Sequence, residues 1–328
     1  MVVRKTSTFV LGFLFVVTLV VVGLMADQLK MNKETALNTE TAGQKVEVNG
    51  KVAGVTHTPP SLDDVPEGPL GEAILRGYEL TNDTSNVLRA EEATADDGEQ
   101  RVNALSCTSC HAGAGLDENS SSLVGVSEVY PMYIPRSGQI VTLEERINGC
   151  MIRSMDGQKF APDDEDMDAM IAYMTYISEG IPAGADLPWR NQNSLDDLPT
   201  PSVADGEQMY QQSCVACHAV DGSGTGSNTG PALWGEGSFN DGAGLARMTK
   251  MAGYIQNNMP MGAEKTLSDQ EASDLAAFIL SQERPEWKNH DKDWPNGDRP
   301  TDIMTKERRQ QVQDGTIDWD EVLGKNKQ

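Results

Sequence analysis

The sequence predicts an all-α protein of two tandem domains followed by a polar tail, and three observations carry that prediction. The motif C-x-x-C-H occurs twice, at residues 107–111 and 214–218. A sulfur residue follows each motif at nearly the same distance. Cys150 lies 39 residues beyond His111, and Met259 lies 41 beyond His218. Helical patterns flank both motifs, before them at residues 71–80 and 205–212 and after them in two amphipathic runs.

The first run places Met167, Met170, Ile171, Met174 and Ile177 on one helical face, where methionines read as core rather than as ligands. The second opens with Ser268 and Glu271, an S-x-x-E capping box, and carries Leu275, Phe278 and Ile279. Each half therefore reads helix, motif, loop with a sulfur residue, helix. The hexapeptides at residues 61–66 (SLDDVP) and 194–199 (SLDDLP) add a weaker echo just before each domain.

C-x-x-C-H is a haem-attachment signature. Two thiols add across the haem vinyl groups, and the adjacent histidine becomes the proximal iron ligand. The motifs thus assign Cys107, Cys110, Cys214 and Cys217 to two covalent c-type haems, with His111 and His218 on the irons. A zinc site would bring its cysteine pairs closer in sequence than residues 107 and 214, and a dithiol redox motif explains neither histidine. The pattern is that of a cytochrome c, twice. In the second half, Gly230–Leu233 (GPAL) suits a loop backing the proximal histidine. Met259, followed by Pro260, is the favoured distal ligand over Met248, Met251 and Met261.

Composition fits this reading. Aromatics are only 5%, thin for two ordinary cores, but a buried haem contributes apolar volume. The net charge of −24 argues against nucleic acid or anionic lipid as partner and favours basic proteins; solubility alone explains most of it. Arg4 and Lys5 precede an apolar run at residues 9–26. That run sits between a secretory signal and a spanning helix in length. Leu24 stands where cleavage before residue 27 would prefer a small side chain, so the reading leans to an uncleaved anchor. Either way the rest of the chain is exported to the periplasm. Residues 27–66 read as a tether in which His57 is solvated.

Four of the five cysteines are consumed by haems, leaving Cys150. Unpaired cysteine is often a buried, inert hydrophobe. Here its position matches that of Met259, which makes it the expected distal ligand of the first haem. A thiolate there would lower that haem's potential relative to a thioether-ligated one. Arg136, Arg146 and Arg153 crowd this stretch of an acidic chain. Each alone suits a propionate partner or a surface charge; together they suggest an anion pocket.

The segments LSCTSCHAGAG, YPMYIPRSG, LEERINGCMIRSMDG, YIQNNMPMG and DWPNGDRP, spread between residues 68 and 302, resemble the dihaem thiosulfate dehydrogenases. The resemblance implies interconversion of thiosulfate and tetrathionate at the first haem, with electrons passing to the second haem and then to an external cytochrome. It implies that Cys150 ligates the first haem within the active site, that Arg136 and Arg146 bind substrate, and that Ser154 neighbours them. Some members carry a lysine beside the distal methionine; here that residue is Asn258. Two alternatives remain: a non-enzymatic electron carrier tuned by Cys150, and a sulfur-carrier-oxidising cytochrome of the SoxA type. A dihaem peroxidase fits less well, since neither His57 nor His290 has a distal-ligand spacing.

The expected organisation is a signal peptide or anchor at 1–26, a tether at 27–66 and a first cytochrome c domain with the active-site haem at 67–190. A linker at 191–203, a second, electron-transfer domain at 204–285 and an irregular tail at 286–328, packed over the second domain, complete it.

Overall fold

A computed structural model describes residues 57–92, 102–190 and 193–326, all within one unit, Ala53–Gln328. The expected anchor at 9–26 lies outside the described residues. Among the described residues no helix is long and apolar enough to cross a membrane.

Local sequence fixes where the helices begin. Pro69 opens α1, Pro69–Glu92, at a position where the missing N–H would be unpaired anyway. Thr142 and Glu145 form a capping box that starts α2, Leu143–Met151. Asp164 caps α3, Glu165–Tyr176, and Ser202 caps α4, Val203–Ser213. A single turn, α5, Val215–His218, carries the second motif. It is followed by α6, Met248–Asn258, and α7, Asp269–Ser281, which starts at the expected Ser268–Glu271 box. Each side-chain cap contributes about 1 kcal/mol. Helix α1 runs well beyond the 71–80 stretch visible in its periodicity, with Asp83 (φ −136°) breaking the helical dihedrals midway.

The two domains share one packing rule. In the first, α1 crosses α3 at Gly77, where a Cβ would lie 2.0 Å from the Ala169 carbonyl oxygen. In the second, α4 crosses α7 at Gly206, where a Cβ would lie 2.1 Å from the Asp274 carbonyl oxygen. Only glycine permits either approach. Beside each crossing a buried tyrosine reaches the loop after the motif. Tyr173 donates to Ala114 O at 3.0 Å, and Tyr210 donates to Ala219 O at 2.6 Å. Tyr173 packs edge-on against Tyr78, and Tyr210 lies against Trp234 and Phe278. Met167, Met170 and Met174 are buried in the first core, as their spacing predicts.

Three features depart from the sequence-based expectation. A two-stranded antiparallel ribbon, β1, Met132–Ile134, and β2, Gln139–Val141, interrupts the helices, with Tyr133 opposite Ile140. Its strands are β-branched and aromatic around a turn ending at Gly138, which is what a hairpin needs. His57 is not simply solvated: its Nε2 meets Ile177 O at 3.0 Å, and Tyr176 donates to Ser61 O at 2.6 Å. The end of the expected tether is thereby held on α3.

The tail is the third departure. It carries α8, Lys306–Gln313, and α9, Trp319–Val322, and it packs on both domains. Against the second domain, Asp302 accepts from the Thr249 amide at the start of α6 and pairs with Arg247 at 3.0 Å. Arg309 and Asp241, each only 1% exposed in the side chain, pair at 3.1 Å. Against the first, Asp293 forms a two-pronged ion pair with Arg153 at 2.6 and 2.7 Å, and Asn296 donates to the Tyr133 hydroxyl at 3.1 Å.

Candidate functional site

The attachment motifs have the donor chemistry that covalent haem requires. Nδ1 of His111 lies 2.5 Å from Ser121 O, and Nδ1 of His218 lies 2.8 Å from Pro231 O, in the GPAL loop. A carbonyl only accepts, so Nδ1 holds the proton and Nε2 keeps its lone pair for a metal. No hydrogen bond claims either Nε2 among the described residues. Burial lowers both histidine pKa values, which favours the neutral ligand form.

The cysteines are equally informative. Burial pushes Cys107 up to about 11, Cys110 to about 12 and Cys214 to about 11. A redox dithiol needs the opposite shift, toward thiolate at neutral pH. Apolar surroundings of this kind suit thioether bonds to a haem. No disulfide joins any of the five cysteines.

Cys150 sits in the last turn of α2, half-buried. It lies close enough to Cys107 and Cys110 for its charge to raise both thiols further. One turn earlier on the same helix, Arg146 donates through Nη1 to Cys150 Sγ at 3.1 Å. The thiolate form of Cys150 raises the pKa of Arg146, and Tyr130 adds to this through its hydroxyl. Arg146 in turn contributes to lowering His111. The fold thus brings Cys150, Arg146, Tyr130 and the first attachment motif to one place.

Arg136 occupies the turn between β1 and β2. It donates through Nη1 to Gly242 O at 2.6 Å, and its guanidinium stacks 4.7 Å from the centre of the Trp294 ring. Burial pulls it down to about 10, with Arg153 and then Arg146 acting the same way and Asp293 opposing. It remains cationic at neutral pH. Arg153 behaves differently: Asp293 neutralises it and it stacks on Trp287 at 4.1 Å, so it ties the domains and the tail together. Ser154 contributes backbone, its N–H donating to Cys150 O at 2.8 Å and its carbonyl accepting from Asn103 at 3.0 Å.

In the second domain Met259 directly follows α6 and is half-buried, its N–H donating to Ile255 O at 2.8 Å. Met248 and Met251 are core residues, 0% and 2% exposed, while Met261 is 75% exposed. The first motif touches this domain directly. Ser109 donates to Ser227 O at 2.7 Å, and Tyr254 on α6 meets Ser120 Oγ at 3.1 Å.

Sequence reasoning missed Tyr130, Gly242, Asp293 and Trp294. Tyr130 and the last two lie in the YPMYIPRSG and DWPNGDRP segments, whose wording carried the resemblance without revealing that they meet.

Two helical domains, each with an attachment motif and a histidine whose Nε2 is unclaimed, define a dihaem c-type cytochrome. Residues 97–183 match the family described as "SoxA/TsdA, cytochrome c domain", and residues 201–279 match "Cytochrome C oxidase, cbb3-type, subunit III". The chain belongs to the thiosulfate dehydrogenase family. It is 36% identical over 283 residues to the thiosulfate dehydrogenase of Psychrobacter arcticus, covering 85% of this chain and 83% of that one. It is 39% identical over 239 residues to that of Allochromatium vinosum, covering 70% and 85%. The solved thiosulfate dehydrogenase (TsdBA) of Marichromatium purpuratum is similar with a TM-score of 0.64 at 32% identity, over 72% of this chain. The match covers 51% of that longer chain, so this protein spans about half its length.

Proposed function

We propose that this protein couples two thiosulfate ions into tetrathionate at the Cys150 site and passes the electrons to an external cytochrome. The observation that carries the reading is the 3.1 Å contact between Arg146 Nη1 and Cys150 Sγ, which sets a cation beside the only cysteine outside the attachment motifs. The haems supply two one-electron acceptors, matching the two electrons that the coupling releases.

The residues divide the work. Cys150 would hold the iron of the first haem through its sulfur and would also act as the nucleophile, and Met259 would hold the iron of the second. The Cys150 thiolate joins the outer sulfur of one thiosulfate in an S–S bond, with loss of two electrons. A second thiosulfate attacks that outer sulfur, releases tetrathionate and returns the thiolate, so the second step needs no redox change. Arg136 and Arg146 gather dianions that would otherwise repel. Arg146, donating to Cys150 Sγ at 3.1 Å, also sets a cation beside the leaving sulfur. Ser154 supports this by fixing the backbone of the Cys150 turn. Ser109, Ser227 and Tyr254 hold the first motif against the second domain.

The partner that accepts electrons is a cytochrome with a basic docking face, because this chain carries a net charge of −24. The protein works in the periplasm, exported through the apolar run at residues 9–26, which serves as a cleaved signal or as an anchor. Steady-state turnover in both directions, with wild type and Cys150→Ala, tests the reading. Loss of thiosulfate oxidation with both haems retained is expected. Full activity in Cys150→Ala would remove Cys150 from the catalytic machinery, and absence of thiosulfate turnover in wild type would leave a simple electron carrier.

A further inference from the structure

We propose that Trp294, in the C-terminal tail, is a positioning residue for Arg136, so that the substrate site is completed by a turn more than 150 residues away in sequence. This rests on the reading of Arg136 as a substrate-binding arginine.

Four contacts place the tail turn on the β1–β2 turn that carries Arg136. The Trp294 ring covers one face of the guanidinium at 4.7 Å, and the Trp294 N–H donates to the Arg136 carbonyl at 2.7 Å. Pro295 fills the space over Gly138, where a Cβ would lie 2.7 Å from Pro295 Cγ. Asn296 reaches the Tyr133 hydroxyl at 3.1 Å. From the second domain, Gly242 O fixes Nη1 at 2.6 Å. Nε and Nη2 then have no partner among the described residues and remain able to bind an anion.

The backbone of Trp294 distinguishes positioning from mere turn-making. Its φ is +57°, a conformation that bulky L-residues rarely adopt and that glycine adopts freely. A turn with no further task would be served best by glycine. The indole is held there at a conformational cost, and its ring is stacked on Arg136. Strained backbone of this kind gathers at functional sites, where surrounding contacts enforce it. The arginine carries its planar guanidinium on a long flexible stem, and a stacked ring together with a carbonyl on Nη1 leaves that group little freedom. Pre-ordering of this sort lowers the cost of binding.

The test uses full-length dihaem protein carrying Trp294→Gly, Trp294→Phe, Arg136→Gln, and the Gly and Gln changes together. Glycine relieves the backbone and removes the ring; phenylalanine keeps a ring. Trp294→Gly is expected to raise the KM for thiosulfate about threefold to thirtyfold, the range for loss of one cation–π contact, with kcat little changed. Trp294→Phe should recover most of that loss. The double variant should be no worse than Arg136→Gln alone, because the ring acts only through the guanidinium. If Trp294→Gly does not accumulate as a dihaem protein, Trp294→Asn, which also tolerates this φ, replaces it. An unchanged KM in Trp294→Gly beside a raised KM in Arg136→Gln overturns the proposal while leaving the substrate role of Arg136 intact. Multiplicative losses in the double variant also overturn it. Unchanged kinetics in Arg136→Gln would instead remove the reading on which it rests.

Discussion

Arg146 and Cys150 stand one helical turn apart on α2, and the guanidinium donates to the sulfur at 3.1 Å. The i,i+4 spacing makes this contact almost automatic once α2 forms. The Thr142–Glu145 capping box therefore contributes to the site by fixing where the helix starts. A cation held there stabilises a thiolate and an approaching anion alike.

Arg146→Gln should lower kcat/KM for thiosulfate by about tenfold to 150-fold, equivalent to a charge-assisted hydrogen bond of about 1.5–3 kcal/mol. Both haems should remain attached. Steady-state kinetics with an artificial acceptor, beside a visible spectrum, reads both quantities. Unchanged kinetics would return Arg146 to a surface or propionate role.

Pyridine haemochrome analysis should give two covalent haems per chain after expression with a cytochrome c maturation system. Replacing Cys214 and Cys217 with Ala should leave one. Recovery of two haems from that variant would contradict attachment at the second motif.

Met259→Ala should abolish the near-infrared methionine-to-iron band and lower the potential of the second haem. Met248→Ala and Met251→Ala should keep the band. These side chains are 0% and 2% exposed, so their truncation should instead cost about 2–5 kcal/mol of stability. Retention of the band in Met259→Ala would move the ligand elsewhere.

What the sequence made legible was local or covalent. The attachment motifs carry their chemistry within five residues, and the Ser268–Glu271 box marks the start of α7 within four. The common crossing of α1 with α3 and of α4 with α7 was also implicit in the repeated helix order. The tail was not legible, because its contacts have no period and span long separations. Nothing near Arg136 signals Trp294, and nothing near Arg153 signals Asp293. Arg153 and Arg146 look alike in the sequence, yet one is neutralised by a carboxylate and the other faces a sulfur. His57, expected to be solvated, instead meets a helix-end carbonyl that only the folded chain brings near.

Asp293→Ala should destabilise the fold by about 3–5 kcal/mol, because it leaves the Arg153 charge largely buried without its partner. Asp293 is 5% exposed in its side chain and Arg153 16%, so water does little to compensate. Chemical denaturation followed by circular dichroism measures the loss. A double variant, Asp293→Ala with Arg153→Met, should recover part of it, since an apolar side chain replaces the stranded cation. A loss under 1 kcal/mol in the single variant would show that the pair is screened in solution.

Cys150→Met separates ligation from covalent catalysis. Methionine can still offer sulfur to the first haem, but as a neutral thioether, so that haem's potential should rise. A cysteine that only tuned the potential would leave substantial tetrathionate formation in this variant. A cysteine that bonds to substrate sulfur would not, because a thioether has no free thiolate with which to form the S–S bond. Activity is therefore expected to fall by orders of magnitude while two haems remain. Arg146 offers an internal check. Its contact with a thiolate would be lost, so adding Arg146→Gln to Cys150→Met should change the potential of the first haem less than it does in wild type. Near-normal turnover in Cys150→Met would eliminate the covalent mechanism and leave Cys150 as a ligand alone.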